Sequence, residues 1–136
     1  MTSTTWTAGQ NLPEVTKSVT QEQVNAYADA AHDWNPIHLD ADFAAGTQFG
    51  QRIAHGMLGL GFVSEMLSLA FPESWGQSGG LKVRFKAPIF PGETVKISGE
   101  ITNVSRNAGV DTVTCTVVCT KPDDTEAITG TATVLI

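Results

Sequence analysis

The sequence predicts an α+β fold in a single domain, a curled antiparallel sheet wrapped around a central buried helix. Three observations predict it: a C-terminal half that alternates apolar and polar residues with a period of two, helical spacing in the N-terminal half, and a stretch from His55 to Ala70 too apolar for a surface helix. With 136 residues, 41% of them apolar and 16% charged, the chain has room for one domain over 1–136 and buries enough surface to fold without disulfides or a structural metal. Its core is expected over about residues 20–136.

Each element follows from a local pattern. Thr20-Gln21-Glu22-Gln23 fits a capping box in which the Thr20 hydroxyl accepts from the Gln23 amide. It opens a helix with Val24, Tyr27, Ala28 and Ala31 on one side, expected to end at Pro36. From His55 to Ala70, residues Met57, Leu58, Leu60, Phe62, Val63, Met66, Leu67 and Leu69 leave almost no polar face, as in a helix buried on most sides. Gly56, Gly59 and Gly61 each cost that helix about 1 kcal/mol against Ala, so some neighbour is expected to need close approach of its backbone.

The strands come next. Leu81, Val83, Phe85, Ala87 and Ile89 alternate with Lys82, Arg84 and Lys86, a half-buried strand stopped by Pro88 and Pro91. Pro91-Gly92 turns the chain into a strand carrying Val95, Ile97, Gly99 and Ile101, and Asn107-Ala108-Gly109 marks another turn. Val113, Cys115, Val117 and Cys119 form the next apolar face, and after Lys121-Pro122-Asp123-Asp124 a Thr/Val-rich segment runs from Ala127 to Ile136. Short turns between these strands predict an antiparallel meander.

Charge and composition exclude several functions. Fourteen acidic residues against eight basic ones give a net charge of -6, an unfavourable field for nucleic acid or an anionic membrane surface. The longest apolar run, Ile53 to Phe71, is broken by His55, Ser64, Glu65, Ser68 and glycines, too polar for a membrane span. The opening MTSTTWTAGQ has no positive charge followed by an apolar run, so no secretory signal is expected and a cytoplasmic location is. Cys115 and Cys119, four apart on a strand and hence roughly 13 Å apart, lie beyond disulfide reach and are expected to be reduced core thiols.

The segment Asp33-Trp34-Asn35-Pro36-Ile37-His38 carries the chemistry. Pro36 lacks an amide donor and pushes Asn35 toward extended geometry, so the segment turns, and a turn can bring Asp33 beside His38. A carboxylate, an imidazole and an amide on one turn suit a cradle for water, with Asp33 or His38 drawing off its proton and Asn35 orienting it. The same residues also suit a helix stop with an Asx-type turn and a surface histidine. Ile53 to Leu58 opens the buried helix, where backbone N–H groups lack partners and the dipole favours negative charge. With no side chain at Gly56, its amide is open to a thioester carbonyl and the oxyanion that develops on it, although glycine there equally suits tight packing of helix on sheet. His32, His38 and His55 have no zinc-ligand spacing with the cysteines, so no metal is expected, and His55 is expected to hydrogen-bond backbone.

These residues resemble a family, the R-specific enoyl-CoA hydratases, the MaoC-like or "hydratase 2" branch of the hot-dog fold. Its signature approximates (G)-D-x-N-P-[LIV]-H-x-D followed after some fifteen residues by [VA]-H-G-M; this chain has D-W-N-P-I-H-L-D from Asp33 to Asp40 and A-H-G-M from Ala54 to Met57. K-V-R-F-K-A-P-I-F-P-G-E-T-V, Lys82 to Val95, is similar to the family's strand and turn after the central helix, so the resemblance runs from about Thr20 to the C-terminus. It implies a hot-dog domain without a cofactor that reversibly hydrates a trans-2-enoyl-CoA to the (R)-3-hydroxyacyl-CoA. By the same resemblance, Asp33 and His38 are the catalytic pair, Asn35 holds the water, Gly56 is the oxyanion donor and Ser64 lines the substrate channel. Ser64 on a buried helix also suits a bond back to a carbonyl one turn earlier. One departure is His32, where the family usually has Gly; it bears on the turn, the pocket width and the proton affinity of Asp33.

Other readings share the motif. A dehydratase acting on acyl carrier protein runs the same chemistry in reverse, and Lys82, Arg84 and Lys86 on one strand face suit either an acidic carrier or the phosphates of coenzyme A. Those charges also suit a plain solvated face. A hot-dog thioesterase fits the Asp-x-Asn-Pro-x-His turn poorly, and a non-catalytic hot-dog subunit of a hetero-oligomer fits the intact Asp33 and His38 poorly. The resemblance implies a homodimer or higher homo-oligomer.

Overall fold

The period-two pattern of the C-terminal half becomes most of one sheet. A computed structural model describes residues 5–136; residues 1–4, the start of the MTSTTWTAGQ segment, lie outside the described residues. The strands are β1 (Val15–Ser18), β2 (Gly80–Phe85), β3 (Thr94–Asn107), β4 (Val110–Thr120) and β5 (Glu126–Leu135), paired antiparallel in the order β1-β3-β4-β5-β2. Val95, Ile97, Ile101, Val113, Cys115, Val117, Cys119, Ile128, Ala132 and Val134 point to the buried face, as their alternation requires. Register irregularities at Ile101/Asn103 and Cys119/Thr120 bend the strands, which helps the sheet curl.

Two expectations about the sheet need correction. The meander holds for β3, β4 and β5, but β2 pairs with β5 and not with β3. Pro91-Gly92 does turn the chain, with Gly92 at φ 100°, yet residues 86–93 are anchored away from any hairpin. Lys86 N–H donates to Ala127 O at 2.8 Å, Ala54 N–H to Ile89 O at 2.8 Å and Gly92 N–H to Val19 O at 2.7 Å, so the loop crosses the sheet end and delivers β3 beside β1. The core also starts before residue 20, because β1 joins the sheet and Leu12, Val15 and Val19 are buried.

The helices are α1 (Gln21–Ala31), α2 (Pro36–Leu39), α3 (Ala41–Ala45), α4 (Gly56–Ala70) and α5 (Ser74–Ser78). Gln23 N–H donates to Thr20 Oγ1 at 3.0 Å, the predicted cap, while Val24 and Ala28 are buried and Ala31 is exposed. α1 ends at His32, whose left-handed backbone (φ 56°, ψ 39°) closes it through a bond to Ala28 O; Pro36 is the first residue of α2 and not the stop of α1.

α4 is the central helix. Phe62, Val63, Met66 and Leu67 are buried against the sheet, each contributing about 1.5–3 kcal/mol of burial. A Cβ on Gly59 would stand 2.8 Å from Ile128 Cδ1 and 3.3 Å from Ile89 Cδ1, so the helix needs glycine there to lie on the sheet; Gly61 has no such neighbour. The helix is not covered on all sides, since Met57 and Leu69 are 57% and 60% exposed in the single chain.

Candidate active site

Residues 32–38 build the catalytic turn from three local devices. The left-handed His32 reverses the chain, Asp33 Oδ1 accepts from Asn35 N–H at 3.3 Å, and Asn35 Oδ1 accepts from Ile37 N–H at 3.0 Å to cap α2. The position where the family motif carries Gly thus demands positive φ, which explains the preference there. Here His32 adopts it and packs edge-on against Trp34 with ring centroids 5.2 Å apart. The turn is kept, and His32 does not line the cavity described below.

Asp33 and His38 come together with a third residue. Donor atoms of Asp33, His38 and His55 lie within 4.8 Å of one another; Asp33 is exposed and both histidines are buried. A main-chain carbonyl only accepts, so the 2.8 Å contact of His38 Nδ1 with Ile53 O places the proton of neutral His38 on Nδ1 and leaves Nε2 as an acceptor. By the same reasoning His55 Nε2 donates to Asp33 O at 3.0 Å, the backbone bond expected of it. Gln21 Nε2 donates to the His38 carbonyl at 2.8 Å, tying α1 to the turn.

Gly56 follows His55 directly and is the first residue of α4. Its N–H lies in the first turn, where no intrahelical acceptor exists, and the Phe85 ring covers the space a side chain would take. His55 and Gly56 both line a cavity of about 390 Å³ whose other walls include Ile53, Phe85, Ile89 and Ile128. Asp33 and His38 are not among its lining residues, so His55 and Gly56 connect the cavity to the turn. An apolar cavity beside an open helix amide and a carboxylate–imidazole pair can hold an acyl chain, polarise its carbonyl and move a proton.

The sequence matches the MaoC-like domain over residues 4–122. This chain belongs to the MaoC-like domain family. An (R)-specific enoyl-CoA hydratase from Rhodospirillum rubrum is 33% identical over 122 residues, 88% of this chain and 81% of that protein. The 3-hydroxyacyl-thioester dehydratase Z of Mycobacterium tuberculosis is 36% identical over 107 residues, 76% of this chain and 70% of that one. Among solved structures, the (R)-hydratase from A. caviae involved in PHA biosynthesis superposes with a TM-score of 0.82 at 30% identity, covering 97% of this chain and 98% of that one. The protein is therefore a hot-dog hydratase/dehydratase, a hydro-lyase. The family match reaches further toward the N-terminus than the motifs do, taking in β1.

In this MaoC-like domain the remaining predicted residues are dispersed. Ser64 lies two turns along α4 from Gly56, does not line the cavity, and accepts from Trp75 Nε1 at 2.9 Å. Lys82 and Arg84 share a shallow groove with Thr129 and Thr131, whereas Lys86 lines the Gly56 cavity and meets Glu126 at 3.2 Å. Asp33, His38 and His55 offer metal-ligand atom types, but His38 Nδ1 and His55 Nε2 are engaged with main-chain carbonyls and the two imidazoles stack face to face. That arrangement suits a water molecule better than an ion about 2.0–2.1 Å from each nitrogen. Sequence reasoning missed Phe85 as the cover on Gly56 and His55 as a neighbour of His38; adjacency of His55 to Gly56 was the available signal. No helix among the described residues is long and apolar enough to cross a membrane.

Proposed function

We propose that this MaoC-like domain hydrates a trans-2-enoyl-CoA reversibly to the (R)-3-hydroxyacyl-CoA, with Asp33 and His38 as the catalytic pair. The observation that carries the reading is the meeting of Asp33 and His38 at His55, the residue directly before the Gly56 amide at the start of α4. A water donating one hydrogen to the Asp33 carboxylate and the other to His38 Nε2 turns an oxygen lone pair toward C3 of the enoyl group. As the C3–O bond forms, the C2=C3 pair moves toward the thioester carbonyl, and the Gly56 amide with the α4 dipole stabilises that oxyanion. One water proton passes to Asp33 and is then returned to C2 with the help of His38, which stays bonded to the remaining O–H, so Asp33 is regenerated and the net addition is H and OH. The Asn35 amide, its oxygen engaged at Ile37, has its NH₂ left to orient the water.

Crotonyl-CoA hydration followed at the enoyl absorbance tests this. Asp33→Asn and His38→Ala are each expected to lose 10²–10⁴-fold in kcat, and a loss under about tenfold in both variants would overturn the assignment. The exposed Lys82–Arg84 groove favours a second substrate form, a thioester on an acidic carrier protein; comparing the CoA and carrier substrates separates the two. The exposed edge of β2 and the exposed Met57 and Leu69 on α4 support a homodimer, which sedimentation velocity tests.

A further inference from the structure

His55 touches both members of the catalytic pair. Its Nε2 donates to the Asp33 carbonyl at 3.0 Å, and its ring stacks on the His38 ring with centroids 3.7 Å apart and planes 24° apart. The Tyr27 ring also lies against it, with centroids 4.7 Å apart and planes 59° apart, so His55 contacts both α1 and the turn. The side chain is 3% exposed, and Nδ1 is buried with no hydrogen-bond partner among the described residues. Leaving a buried acceptor without a donor is unfavourable, and a phenylalanine would fill the same space without that penalty. Packing alone therefore does not account for an imidazole here.

Resting on the reading of Asp33 and His38 as the acid–base pair, we propose that His55 is the positioning residue that holds them in one geometry. One ring fixes two independent coordinates. The Nε2–H bond sets the Asp33 main chain, and with it the origin of the carboxylate. The stack sets the plane of the His38 ring, whose in-plane rotation is fixed by Nδ1–H to Ile53 O. Ile53 and His55 both belong to the short segment leading into α4, so that segment aligns the pair with the Gly56 amide beside it.

Two substitutions separate the parts. His55→Phe keeps the ring and the stack and removes both nitrogens, while His55→Gln keeps a donor for Asp33 O and loses the stack. In crotonyl-CoA hydration, His55→Phe is expected to lower kcat about tenfold or more with KM within about threefold of wild type, since misplacement of catalytic groups acts on the reacting geometry. His55→Gln is expected to regain part of that kcat. Wild-type kcat in folded His55→Phe overturns the proposal, as does an equal rise in KM with unchanged kcat in both variants, which would mark a cavity wall. If His55→Phe does not fold, His55→Gln alone decides: a kcat at least threefold down at constant KM supports the role, and an unchanged kcat overturns it. Asp33→Asn assayed alongside keeps the two readings apart, because full activity there overturns the catalytic pair itself.

Discussion

The Phe85 ring lies 3.1 Å from where a Cβ on Gly56 would stand, so the end of β2 closes over the first residue of the central helix. This contact joins the edge strand to the proposed oxyanion site. It also explains why Phe85, 54% exposed, is held on the inward side of its strand.

A proline scan of one residue tests the Gly56 amide. His55 precedes it in extended geometry (φ −61°, ψ 137°), which a residue before proline tolerates, and proline is favoured at the first helical position. Gly56→Pro is expected to keep the helix and lose about 10²–10³-fold in kcat, the effect of removing an oxyanion donor. Gly56→Ala keeps the amide, needs Phe85 to yield slightly, and is expected to retain most of kcat. Equal loss in both variants would count against the amide.

The basic strand divides by position. Lys86 lines the cavity with Gly56, while Lys82 and Arg84 face a separate groove. Lys86→Glu is therefore expected to raise KM for an enoyl-CoA more than Lys82→Glu or Arg84→Glu, and the rise should shrink as salt is added. Steady-state kinetics at two ionic strengths reads this, and an equal rise in all three variants would point to a long-range field.

Lys121 is a buried cation with a structural task. It is 8% exposed, donates to Pro88 O, lies 3.4 Å from Glu93 Oε1 and sits 4.5 Å from the Phe90 ring centroid. It thereby pins the loop whose Pro88 and Ile89 wall the cavity. Lys121→Met leaves the Pro88 carbonyl without its donor and Glu93 without its counter-charge, and is expected to cost about 1–3 kcal/mol in urea unfolding. Glu93→Gln should cost less, because the amide can still accept from Phe90 N–H.

Burial pushes the Cys115 and Cys119 thiols up to about 11 from an ordinary value of 9.0. Two outcomes follow. A thiol reagent at pH 8 should leave the native protein unlabelled and label both cysteines in denaturant. Because the folded state holds these protons more tightly, stability should be unaffected by them below pH 9 and decline as pH rises from 9 toward 11. A Cys115→Ala/Cys119→Ala protein, less stable at neutral pH, should show a shallower alkaline decline in Tm.

Where one segment carried the physics, the sequence was legible. Thr20 caps α1, alternation places Val113 to Cys119 inward, and Asn107-Ala108-Gly109 forms a turn with Ala108 and Gly109 at positive φ. In each case the deciding interactions lie within a few residues. Legibility failed where distant segments compete. Pro91-Gly92 looks like a hairpin turn, yet bonds from Val19, Ala54, Ala127 and Lys121 carry the loop across the sheet. Ser64 looks unpartnered, yet its hydroxyl accepts from Trp75 of the next helix.

The candidate site divides in the same way. The sequence alone indicates a turn at Asp33, Asn35 and His38, because Pro36 rules out a continuous helix through the segment. It also settles that Gly56 opens a helix. That the turn and the helix start converge depends on His55 bridging 22 positions to Asp33 O, and on Ile53 bridging 15 to His38. Contacts over such separations form only once burial of α4 against the sheet has offset the entropy of closing the intervening chain. No local pattern encodes that balance, and it places His55 beside the acid–base pair.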